Sequence, residues 1–159
     1  MGKVAGVWRV IILYGFSKVH LMSGWRIGYI AGPDSIVEGI MRIHQYVMMS
    51  APTVAQHAAI EALTSSEEHV ISMREEYDRR RRFLVDGFNK IGLTCVEPHG
   101  AFYCFPDISS TGLTDIEFSE QLLLAEKVEV VPGSAFGSIV QGYIRPCYAN
   151  SYESLKQSI

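Results

Sequence analysis

Residues 65–92, SSEEHVISMREEYDRRRRFLVDGFNKIG, constrain this chain more than any other stretch. Ser65-Ser66-Glu67-Glu68 offers a capping box. Val70, Met73, Tyr77, Leu84, Phe88 and Ile91 fall in one apolar stripe, and Gly92 supplies a stop. The spacing predicts one helix of about seven turns. That length exceeds what a single compact domain usually holds, so the helix is expected to join two packed units. With 159 residues there is room for one ordinary domain or parts of two. The boundary falls near residue 65, giving units 1–64 and 65–159. The only dense basic run, Arg79 to Arg82, lies inside this helix behind Glu75, Glu76 and Asp78. Pairs Glu75–Arg79, Glu76–Arg80 and Asp78–Arg82 at helical spacing make it a solvated face.

The two flanks differ in texture. Before the long helix, residues 7–14 (VWRVIILY) are a β-branched apolar run that suits a buried strand, ended by Gly15. Residues 25–31 (WRIGYIA) predict a second strand, closed by Gly32-Pro33. Asp34 is placed to cap a helix whose apolar positions are Ile36, Val37, Ile40, Met41, His44 and Val47. Pro52 breaks it, and Thr53 to Leu63 predicts another. After the long helix come strand and turn signals: Thr94–Glu97, Ala101–Phe105, Val128–Val131 and Tyr143–Tyr148. A second capping box, Thr114-Asp115-Ile116-Glu117, opens a helix to about Lys127. SYESLKQSI reads as the first turns of a further helix.

Composition excludes several classes. An apolar share of 48% with 19% charged residues supports a packed core and not a disordered chain. A net charge of −3 argues against nucleic acid as the main partner. Cys95, Cys104 and Cys147 lie far apart and are expected as reduced core residues. The five histidines are scattered, so no metal site is expected. No apolar run is long enough to span a bilayer, and the expected location is cytoplasmic.

Residues 15–28, GFSKVHLMSGWRIG, carry the chemistry. A predicted strand feeds straight into Lys18, and strand ends are where α/β proteins build sites. A lysine held in a partly desolvated place becomes an amine able to form a Schiff base. Arg26 is the complement, a planar fork of donors for a phosphate or carboxylate. From residue types alone this is a reactive amine and an anion clamp, placed to serve one ligand.

The string also resembles the pyridoxal-phosphate attachment motif of class I and II aminotransferases, the fold-type I enzymes, in their aspartate-aminotransferase-like branch. The match runs over Gly15, Phe16, Ser17, Lys18, Leu21, Met22, Gly24, Arg26 and Gly28. Four later stretches follow in family order: EYDRRRRFLVDGFNKIG, EPHGAFYCFPDI, EKVEVVPGSAFG and GYIRPCYANSYESL. Together they cover essentially the whole chain. The resemblance implies an α/β chain: a remnant of the large cofactor domain (1–64) and the small α+β carboxy-terminal domain (65–159). It implies pyridoxal 5'-phosphate as cofactor, with Lys18 forming the internal aldimine and moving the proton at Cα, Arg26 binding the phosphate and Ser17 helping near it. Arg145 matches the arginine that takes the substrate α-carboxylate, the substrates being an amino acid and a 2-oxo acid. Phe102 and Tyr103 are expected to pack the small domain and not to touch substrate. Two departures stand out. His20 occupies a position where many relatives have an aromatic residue, and Pro146 removes a strand donor directly after Arg145 while favouring extended geometry there.

Full-length members of that family are more than twice as long and dimeric. The resemblance therefore implies a carboxy-terminal fragment without the glycine-containing phosphate loop and the ring-nitrogen aspartate, and so with weak cofactor binding and little turnover. Two alternatives stay open: a lyase or synthase of the same fold, or a non-catalytic remnant that pairs with a full-length relative. Amino-acid specificity is not legible in these residues.

Overall fold

A computed structural model describes residues 10–159, so residues 7–9 of the expected first strand lie outside the described part. The chain divides into two compact units, one up to Ser72 and one from Met73 to Ile159.

In the first unit, β1 (Ile12–Gly15) pairs antiparallel with β2 (Gly28–Ala31), Gly15 opposite Gly28. β1 is not buried as expected: Ile12 and Leu13 are 51% and 74% exposed. A two-stranded ribbon has too little surface to cover either face. Between the strands, α1 (Phe16–Val19) is a single turn with Phe16 buried. α2 (Asp34–Val47) follows Pro33, which occupies the N-cap; Asp34 is the first helical residue and not the cap. Pro suits a helix start because its missing N–H would have no partner there. The apolar spacing of α2 is helical as predicted, yet none of its residues is buried. α3 (Thr53–Ser65) buries Ala55 and Ala59. The small core of this unit is Phe16, Met22 and Ala59, with Tyr14, Ile27, Ala58 and Ala62 around it.

α4 (Glu67–Lys90) has the length its pattern demands, 24 residues. The division between units falls inside it, whereas the change in sequence texture lies near its start. Ser65, which the capping-box pattern pairs with Glu68, is instead the last residue of α3, and the Ser66 hydroxyl donates back to Ala62 O at 2.5 Å. The charged face pairs nearly as predicted. Arg80 meets Glu76, and Arg82 meets Asp78, but Arg79 also takes Glu76, at i,i+3, and Arg81 bridges Asp78 and Glu97.

Leu84, Val85 and Phe88 on α4 enter the core of the second unit with Leu93, Cys95, Cys104, Ile108, Ile144, Tyr148 and Leu155. α5 (Asp115–Glu126) begins with the predicted capping box of Thr114 and Glu117, and Lys127 ends it in a left-handed conformation. β3 (Val131–Pro132) pairs antiparallel with β4 (Ile144–Arg145), and α6 (Tyr152–Gln157) starts at a Ser151 cap. The remaining expected strands survive only as single bridges, Cys95 to Pro106, Tyr103 to Cys147 and Asp107 to Tyr143. Prolines 98, 106, 132 and 146 explain this, since each lacks the N–H a continuous ladder needs. The cysteines are unpaired thiols, Cys95 and Cys104 buried. A hydrogen bond with Cys95, together with burial, pushes the Cys104 thiol up, which keeps it protonated and inert. Among the described residues no helix is long and apolar enough to cross a membrane.

Candidate functional site

The β1–β2 register brings both ends of loop 16–27 together, and this loop holds Ser17, Lys18 and Arg26. Its shape is over-determined by its own backbone. Phe16 N donates to Ile27 O at 3.3 Å, and His20 N and Met22 N both donate to Phe16 O, at 3.2 and 3.3 Å. Ser23 Oγ donates to Ser17 O at 2.9 Å, and Arg26 Nη1 donates to Ser23 O at 3.0 Å. Leu21 and Arg26 both sit at a φ of 52°. Non-glycine residues avoid that region unless their surroundings impose it, and such strain gathers at functional loops. Gly28 closes the loop. A Cβ there would lie 2.6 Å from Tyr14 O, so the two strands can meet only at a glycine. Lys18, on α1, and Arg26, beyond the following 3₁₀ turn, are both exposed. The donor set is a primary amine, a hydroxyl and a guanidinium on one loop. It fits a ligand that combines an aldehyde with a phosphate.

Arg145 belongs to the second unit and lies on β4, opposite Val131. Pro146 does not disturb it; that proline is buried, and its carbonyl accepts from Cys104 N at 3.3 Å. The guanidinium is held between two rings, its carbon 4.3 Å from the centre of Tyr103 and 4.5 Å from that of Phe136. Its Nε is buried without a hydrogen-bond partner. An unsatisfied buried donor costs about 1–3 kcal/mol, more when charged, unless an external acceptor completes it. A carboxylate is the natural complement of this flat fork. Tyr103 does pack the small unit, as expected, and what it packs against is the arginine.

Phe136 is held in place by a neighbour that the sequence reading did not single out for a site. Asp115 is buried, and its carboxylate accepts from Ser134 N at 2.5 Å. That hydrogen bond holds its pKa below the usual carboxylate range. It fastens the turn Gly133–Phe136, whose Gly133 has no room for a Cβ beside Val140 O and Tyr143 O. The signal was available: Asp115 lies inside the capping box, but its side chain turns to a loop 19 residues away. Among the described residues no cluster of ligands suits a metal ion.

Residues 2–157 match the family described as Aminotransferase class I and II. The aspartate aminotransferase of Pyrococcus abyssi is 46% identical over 153 residues, which cover 95% of this chain and 39% of that protein. The aromatic-amino-acid aminotransferase 2 of Thermococcus litoralis is 45% identical, with the same 95% and 39% coverage. An aromatic aminotransferase from Pyrococcus horikoshii OT3 has a similar crystal structure, with a TM-score of 0.91 and 44% identity over 98% of this chain and 42% of that one. The chain thus spans well under half the length of the relatives it matches, as the resemblance implied. This chain belongs to the class I and II aminotransferases.

Proposed function

We infer that the chain supplies the lysine, the phosphate-binding arginine and the carboxylate-binding arginine of a pyridoxal-phosphate-dependent aminotransferase. The observation that carries this reading is the pinned loop 16–27, which places Lys18, Ser17 and Arg26 on one scaffold. When bound, the cofactor supplies a conjugated ring that withdraws electrons from the substrate Cα. Lys18 Nζ would hold its aldehyde carbon and, as a free amine, would carry the proton from the substrate Cα. Arg26 and Ser17 hold its phosphate, one by charge and the other by a hydroxyl. Arg145 receives the α-carboxylate of an amino acid or 2-oxo acid. Tyr103 and Phe136 fix the position of the planar guanidinium and limit its hydration, which strengthens the pairing.

The test is borohydride reduction of the full chain in the presence of pyridoxal phosphate, followed by peptide mass mapping. The expected product is a phosphopyridoxyl group on Lys18, with much less on Lys3, Lys90, Lys127 and Lys156. Equal labelling of all five lysines, or a preference for another one, would overturn the reading.

A further inference from the structure

His20 sits at the end of α1, two residues past Lys18, and both of its ring nitrogens are engaged. Nδ1 lies 3.1 Å from Ser66 Oγ, and Nε2 lies 3.3 Å from the Tyr14 hydroxyl. The direction of each bond can be worked out. Ser66 gives its only proton to Ala62 O at 2.5 Å, so Oγ can only accept from the imidazole. Nδ1 therefore carries the hydrogen, which leaves Nε2 of the neutral ring as an acceptor for Tyr14 O–H. The Phe16 and Tyr14 rings, with centres 5.4 and 6.4 Å away, confine the imidazole further. Phenylalanine at this position would make neither hydrogen bond.

The arrangement matters because α1 has only four residues. One helical turn fixes several dihedral angles for a single hydrogen bond and is not stable alone. Its direction is set by what holds its ends: buried Phe16 at the start and His20 at the finish. We propose that His20 is a positioning residue for Lys18, an imidazole with a hydrogen on Nδ1 that ties the lysine's turn to β1 through Tyr14 and to the end of α3 through Ser66. The role for Lys18 rests on the functional reading above; the tautomer and its two bonds do not.

Two measurements on the full chain separate the parts. Long-range 1H–15N spectra should show the Nδ1–H tautomer for His20, with the Nε2 shift moved by Tyr14→Phe and the Nδ1 shift by Ser66→Ala. An Nε2–H tautomer, or spectra indifferent to both variants, would overturn the bridge even if Lys18 takes the cofactor. In the second measurement, His20→Phe should lower borohydride-trapped pyridoxal phosphate at Lys18 about fivefold relative to the other lysines. His20→Gln, which can still accept from Tyr14, or His20→Asn, which can still donate to Ser66, should restore part of the loss. Unchanged selectivity in His20→Phe would sink the positioning role. If the unaltered chain fails to label Lys18, the functional reading falls, and the 13Cα shifts of residues 16–19 in His20→Phe decide the rest. Loss of their helical values upholds positioning of the turn, and their persistence overturns it.

Discussion

Single residues decide whether this chain can hold a charged ligand. Arg145 carries a buried, unpartnered Nε between two aromatic faces. A lysine there keeps the charge but loses both the fork and the flat packing. Arg145→Lys should weaken binding of a 2-oxo acid about tenfold or more, read by calorimetry against the unaltered chain. Asp115 works one step away. Because its acidity is raised by the Ser134 N–H, its contribution is present above the ordinary carboxylate range near pH 4 and is lost as pH falls through the depressed folded value. The stability gap between the unaltered chain and Asp115→Asn should thus be largest near neutrality and close on acidification, as followed in urea titrations at several pH values. Gly28→Ala places a methyl 2.6 Å from Tyr14 O, against backbone that cannot swing aside. A loss of about 1–3 kcal/mol is expected for the first unit, measured by hydrogen exchange at β1 and β2. Lys18, Arg26 and Arg145 could be named as candidates from the sequence, because their neighbours form dense, ordered motifs. The partners of Arg145 were not: Tyr103 and Phe136 are far apart in the chain, and only the fold brings their rings to one guanidinium.

At the scale of elements, α4 shows how far periodicity reaches. Its length followed from spacing, but its buried face only in part: Leu84 and Phe88 of the expected stripe are buried, Val85 joins them, and Ile91 lies past the helix and is exposed. Leu84→Ala, at a position 1% exposed, should destabilise the second unit by about 2–5 kcal/mol, visible as a lower urea midpoint. The ion pairs of the same helix differ in kind. Glu76 is drawn down to about 2 by hydrogen bonds from Arg79 and Arg80, so whatever support it lends persists down to strongly acidic pH. Those pairs face water, and salt screens them. The strands of the second unit are shorter than the sequence predicts for a definite reason. A run such as Ala101–Phe105 has strand-like residues, but Pro106 and Pro146 interrupt the ladder from both sides, leaving bridges where a strand was expected. Ser66 reverses the lesson, because its place in a capping-box pattern concealed a bond to a histidine 46 residues away.

The described residues form two cores, one around Phe16 and Met22, the other around Leu84, Ile108 and Tyr148. Groups in separate cores contribute additively when they share no partner. The Leu84→Ala change should lower protection from hydrogen exchange among core amides of the second unit while leaving the amides of β1 and β2 as they were; equal loss in both would mean one cooperative unit. The amino-acid sequence by itself determined the family resemblance, the long helix, the lysine loop and the order of the charged groups. Those properties reside in local spacing, and local spacing is fully written in the chain. The tertiary structure alone decided which rings flank Arg145, which loop Asp115 fastens, and which hydroxyls meet the two nitrogens of His20. Each of these depends on groups distant in sequence meeting within hydrogen-bonding or ring-stacking range, and that is settled only when the backbone closes around them.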